Sequence, residues 1–141
     1  MAHGKSFAAA MLFLAGCTST PEESGTLVGP VWLAEQVAGA ALPTEPQITL
    51  QFAADGSAAG KGGCNQYSGP YQTTGNSNSI SFGAMVSTKM ACEGAIMERE
   101  QAYLDLLGRI SSYEVRNDAE LVLYADDGKR IRLRRGDESA M

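Results

Sequence analysis

Three cysteines and one histidine bound the chemistry open to this 141-residue chain. Cys17 stands where an apolar block, Phe7 to Ala15, gives way to polar Thr18, Ser19 and Thr20, with small Ala15 and Gly16 just before it. A positive start at Lys5, an apolar block and small residues ahead of a cut describe a secretion signal rather than a fold element. Cleavage before Cys17 removes residues 1–16 and with them His3, the chain's one imidazole. A mature chain without histidine builds no Ser-His-Asp or Cys-His group and no histidine-containing zinc site. Cys64 and Cys92 are too few for a centre of four thiolates, so no metal and no cofactor is expected. In an oxidising compartment two such thiols commonly pair. The bond would close a 29-residue loop, worth roughly 3.5 kcal/mol on the chain-entropy account. Free buried thiols and a redox-active pair are the alternatives, the latter without the Cys-x-x-Cys spacing that tunes such pairs.

The carboxylates offer less. Glu98 and Glu100, and Asp126 and Asp127, read as a solvated helix face and a turn, whereas glycosidic acid/base work needs two carboxylates converging across a pocket. No catalytic residue is assigned, and the chain is expected not to be an enzyme. The glycine-rich stretch Asp55 to Asn65 invites a phosphate-loop reading, but that loop needs Gly where Asp55 stands and Ser or Thr where Gly62 stands. A hairpin turn followed by a strand with close backbone approach is the expected structure there. The basic strip Lys129, Arg130, Arg132, Arg134 and Arg135 reads as the wet face of a terminal strand, with recognition of an acidic partner as its alternative use.

Leu14-Ala15-Gly16-Cys17 resembles the bacterial lipobox, in which the cysteine thiol receives a diacylglycerol and the new amino terminus is acylated. Buried methylenes contribute ~0.8 kcal/mol each, so two or more chains hold a protein stably on a membrane. The expected partner is thus the membrane, through lipid on Cys17, and the expected place is the cell envelope. Thr18 stands where Asp would mark inner-membrane retention in the enteric pattern, which points to the outer membrane, facing the periplasm. Residues 17–25 form a lipidated cysteine and polar tether, reaching at most ~3.5 Å per residue. The mature chain carries Lys+Arg 10 against Asp+Glu 16, a net charge of −6. That balance argues against a nucleic-acid partner and against anchoring by anionic headgroups. No apolar run reaches the ~20 residues a membrane-spanning helix needs.

Beyond the tether the pattern is one of short alternating runs. Ile48-Thr49-Leu50-Gln51-Phe52 alternates with period 2 ahead of the turn pair Asp55-Gly56. Val31 to Leu33, Ser57 to Lys61, Tyr71 to Thr73, Ile80 to Phe82 and Val86 to Met90 are further strand segments. Gly94 to Leu107 breaks the rhythm with Ile96, Tyr103 and Leu107 on one helical stripe, and a helix is expected to stop near Gly108. Ser112 to Arg116, Glu120 to Ala125 and Lys129 to Arg135 follow as strands, with turns at Asn117-Asp118 and Asp126-Asp127-Gly128 and with Ile131 and Leu133 facing inward. About eight strands and one amphipathic helix predict a mainly β fold: a small antiparallel barrel or highly twisted sheet with the helix over an opening.

Trp32-Leu33, the Ile48 to Phe52 run, Gly63-Cys64-Asn65-Gln66-Tyr67-Ser68-Gly69-Pro70-Tyr71, Ser87-Thr88-Lys89-Met90-Ala91-Cys92 and the helix to Leu107 together resemble the META domain of HslJ-type bacterial lipoproteins, over residues 26–135, with 136–141 a polar tail. The resemblance implies a compact β domain with one helix, found in envelope lipoproteins and associated with heat-shock induction and tolerance of novobiocin. It implies no catalysis and carries over no active site. Cys64 and Cys92 match the family's two cysteine positions, and Asn65, Tyr67, Gly69 and Tyr71 match its loop signature. Fold definition is their first expected role, with Gly69 allowing unusual backbone angles; a recognition loop at Asn65, Tyr67 and Tyr71 is the second. The expected function is a non-enzymatic, membrane-anchored envelope protein that contributes to stress or antibiotic tolerance by binding an unknown envelope partner. Inhibition of a periplasmic hydrolase by the Asn65–Tyr71 loop, or carriage of a small apolar ligand beside Phe82, Met85 and Met90, are the rival readings.

Overall fold

The computed structural model describes residues 27–75 and 77–136. The expected signal at 1–16, the lipid-bearing Cys17, the tether through residue 25 and residues 137–141 of the tail lie outside the described residues.

Ten strands and one helix follow in chain order: β1 (Val31–Val37), β2 (Ala40–Ala41), β3 (Thr49–Phe52), β4 (Ser57–Lys61), β5 (Gln66–Thr73), β6 (Ile80–Phe82), β7 (Val86–Ser87), α1 (Gly94–Leu107), β8 (Ile110–Arg116), β9 (Glu120–Ala125) and β10 (Arg130–Gly136). The sheet runs β6-β5-β4-β3-β1-β10-β9-β8, with β2 added beside β1 and β7 beside β5. Every pairing between these strands is antiparallel. Its two ends meet through a bridge between Ser79 and Ser112, and the Tyr113 amide donates to the Asn78 carbonyl at 2.9 Å. The result is a nearly closed, barrel-like sheet of the kind the alternating pattern predicts.

Alternation decides what fills it. Leu50 and Phe52 of β3, Leu121 and Leu123 of β9, and Ile131 and Leu133 of β10 point inward and are fully buried with Trp32, Ile80 and Tyr103. Burying such side chains contributes ~1.5–3 kcal/mol each. The Trp32 indole finds its acceptor in the Leu27 carbonyl at 3.2 Å. The other face of the β1–β10–β9 region also buries Val31, Leu33 and Val122, which alternate with the inward residues. Arginine stems on that face cover apolar surface while their heads pair with acids. Arg132 reaches Glu120 at 2.6 Å and Arg134 reaches Glu35 at 3.1 Å, while Arg135 donates to the Asp118 carbonyl. Three arginines of the basic strip are therefore engaged within the domain.

The helix matches the expected Gly94–Leu107, with Tyr103, Leu106 and Leu107 in the core. Gly108 ends it in a right-handed conformation, with φ −68°, rather than the left-handed one a stopping glycine often takes. Among the described residues ten strands stand where about eight are expected. β5 begins at Gln66, five residues before the expected Tyr71, because Gly69 and Pro70 sit inside the strand instead of ending it. Gly69 has no special backbone angle; a Cβ there would lie 2.7 Å from the Ala84 carbonyl oxygen, so close approach requires the glycine. β7 covers only Val86–Ser87 of the expected Val86–Met90 run, since Thr88 and Met90 turn their hydrogen bonds toward Asn65.

The β1–β2 hairpin turns through Ala38 at φ 51° and Gly39 at φ 86°. An L-residue with a Cβ is strained in that left-handed region. Ala38→Gly is therefore expected to raise unfolding stability by about 0.5–1 kcal/mol, read as a higher urea midpoint at unchanged slope.

Candidate functional site

The polar groups at the start of the Gly63–Tyr71 segment converge on one buried carboxylate. Glu100, on the core side of α1, is 5% exposed. Its Oε1 accepts the backbone amides of Cys64 at 3.0 Å and Asn65 at 2.7 Å, and its Oε2 accepts the Asn65 side-chain amide at 2.7 Å. The other end of the Asn65 amide, Oδ1, accepts the Thr88 hydroxyl at 2.8 Å and the Met90 amide at 2.6 Å. Burial pushes the Glu100 carboxyl up, and the three donors from Asn65 and Cys64 outweigh it, holding the group below its ordinary value of 4.5. The disulfide Cys64–Cys92, with its Cα atoms 6.1 Å apart, closes the same knot one residue away. It also ties down the start of α1, where Glu93 makes no side-chain cap.

Tyr67 continues the construction beneath the sheet. Its hydroxyl donates to the Thr49 carbonyl at 2.7 Å, which leaves the Tyr103 hydroxyl to donate to Tyr67. Burial is the main cause raising both phenols above 10, so both remain protonated. Gly60 passes directly over this pair, where a Cβ would collide with the Thr49 carbonyl and sit 3.0 Å from the Tyr67 hydroxyl.

On the outer side of the same strands lies a groove of about 750 Å³. Pairing aligns one row across its floor: Val31 with Gln51, Gln51 with Ala59, Ala59 with Ser68, and Ser68 with Val86. A second row runs from Lys61 to Gln66 and on to Thr88, whose amide donates to the Gln66 carbonyl at 3.0 Å. Small side chains at Ala59 and Ser68, with Gly60 between the rows, keep the floor low. Glu45, Pro46 and Gln47 form one wall, and Val86, Ser87 and Thr88 form the other. The buried knot sets the second wall's position, because Asn65 holds Thr88 and Met90.

The residues expected to recognise a partner divide between these two faces. Asn65 and Tyr67 are buried, and their polar atoms are engaged inside the domain. Tyr71 is half-buried against Phe52, with its hydroxyl donating to the Ala53 carbonyl at 2.9 Å. The segment's outward side chains are Gln66, Ser68 and Pro70, the first two of which line the groove. Phe82 and Met85 pack on the core, while Met90 is exposed. Glu100, expected on a solvated helix face, instead faces the interior. The signal was present: Ile96, Glu100, Tyr103 and Leu107 are spaced four, three and four residues apart, so the glutamate lies within the apolar stripe. Among the described residues no group of three His, Cys, Asp or Glu side chains is placed to hold a metal ion.

A nearly closed antiparallel sheet, covered by one helix and clipped by a disulfide beside a buried carboxylate, defines the class of domain. The META domain family matches residues 25–138, and the chain belongs to that family. An NMR structure of a protein from Burkholderia xenovorans is similar at a TM-score of 0.62 and 24% identity, covering 86% of this chain and 100% of that one. A second NMR structure gives a TM-score of 0.59 at 15% identity, over 74% of this chain and 87% of the other. At these identities the likeness is one of fold. No curated protein matches.

Glu100→Gln turns one acceptor oxygen into a donor facing the Asn65 amide, with an expected loss of about 2–3 kcal/mol at pH 7. Because the folded carboxyl titrates below its unfolded value of 4.5, its stabilisation is complete above that value and is lost as pH falls through the lower folded value. Denaturation of both proteins across pH 3–7 should show the gap closing only on the acid side. Reduction of Cys64–Cys92 should remove roughly 3.5 kcal/mol, measured as the change in denaturation midpoint with and without reductant.

Proposed function

We propose that this META-domain protein is a lipid-anchored envelope protein that acts by binding at its surface, contributing to envelope stress or antibiotic tolerance. The observation that carries the reading is the disulfide in the knot around Glu100. A domain clipped at its central polar network suits an oxidising compartment, and the Leu14-Ala15-Gly16-Cys17 run supplies both the route there and the anchor. Thr18 after the cysteine favours the outer membrane, with the domain facing the periplasm.

Binding rather than turnover is supported by where the reactive groups lie. The buried carboxylate already accepts three donors, while the groove presents mainly amides and hydroxyls. The geometry also favours the surface over the two rival modes. Residues 66–73 form a strand paired on both edges, so they offer no projecting loop to a hydrolase cleft. Trp32, Phe52, Tyr103 and their neighbours fill the space an apolar cargo would need.

Cys17→Ala is expected to move the protein from the membrane to the soluble fraction, with loss of acyl mass in intact-mass spectrometry. Retention of the variant on membranes would contradict the anchoring claim.

A further inference from the structure

We propose that the outer-face groove binds an uncharged oligosaccharide bearing acetamido groups; the inference rests on the surface-binding reading and names its ligand class. Charge comes first. Lys61 and Glu45 are the groove's two charged side chains and they cancel, so neither a polyanion nor a polycation finds a complementary field there. What the groove presents instead is neutral hydrogen-bonding capacity. Among the described residues, the side chains of Gln47, Gln66, Ser68 and Ser87 make no hydrogen bond to the protein, although all four line the groove.

A glutamine amide offers a donor and an acceptor together, and an acetamido group offers the same pair in return. Val86, 72% exposed on one wall, and Pro46 on the other supply apolar contact for the acetyl methyl and the sugar's C–H face. The low floor at Ala59, Gly60 and Ser68 lets a flat ring approach the sheet. The volume lies within the range of small-molecule sites.

A peptide fits less well. β3, β4 and β5 have partners on both sides, so the floor has no free strand edge with which a peptide backbone can pair, and the wall strand β7, partnered by β5 alone, offers an edge only two residues long. A sugar needs no such edge, because its polar groups project around the ring and meet side chains directly.

The test is titration of the oxidised, full-length Cys17→Ala protein with tetra-N-acetylchitotetraose, followed by ¹⁵N chemical shifts. Saturable shifts confined to Gln47, Gln66, Ser68, Ser87 and their neighbours are expected, with a dissociation constant on the order of 1 mM. Gln66→Ala should weaken binding about tenfold, equivalent to about 1.4 kcal/mol. Ala59→Trp, which raises the exposed floor without entering the core, should abolish it. Unchanged amide spectra away from the groove would show both variants folded. Maltotetraose, which lacks acetamido groups, should bind at least tenfold more weakly. Equal binding of maltotetraose, tighter binding of an uncharged tetrapeptide, no groove shifts at about 10 mM sugar, or binding that survives Ala59→Trp would each overturn the proposal. Because the titration uses protein without its anchor, a negative result leaves the membrane-fractionation result standing, and the reverse also holds.

Discussion

The domain is organised around a carboxylate that has left water. Placing Glu100 in the interior carries a desolvation penalty of several kcal/mol unless its oxygens are fully engaged. Three donors from Cys64 and Asn65 meet that demand, in the same segment that meets the helix through the Tyr67–Tyr103 pair. The carboxylate consequently fixes where α1 lies against the β4–β5 connection. Asn65 transmits that position to Thr88 and Met90 by using its remaining oxygen. Helix, strand and loop are thus referenced to one charged group, and the disulfide adds a covalent tie at the same place.

This arrangement links the interior to the surface. Gln66 lies one residue beyond the asparagine that grips the carboxylate, and Tyr67, the next residue, props the floor from below through the Thr49 carbonyl. The inward residues of the segment define the fold and the outward ones define the groove, as the two-residue period of a strand requires. The fold-defining contacts therefore belong to the inward side chains of β5, and its outward side chains face the groove.

Much of the architecture was legible in the chain. Ser57–Lys61, Ile80–Phe82, Glu120–Ala125 and the helix Gly94–Leu107 are read correctly from alternation, stripe and turn signals. Local pattern failed where tertiary contact decides. Gly69 and Pro70 look like punctuation, yet the glycine is there because Ala84 and Met85 press against the strand. Glu100 looks solvated because charge is scored as polar, although its spacing from Ile96 and Tyr103 places it inside. The groove was illegible for a different reason. Val31, Gln51, Ala59, Ser68 and Val86 are far apart in sequence, and only the pairing register brings them into a row.

The seam that closes the sheet has its own physical consequence. Where β6 approaches β8, the opening is bordered by Thr73, Thr74, Ser79, Ser81 and Ser111. Strand edges left unsatisfied invite a neighbouring molecule to add on, the first step toward fibrils and amorphous aggregates. A fringe of hydroxyls keeps those edges hydrated and gives an incoming strand little greasy area to gain. At this seam the sheet resists edge-to-edge addition without having to close completely.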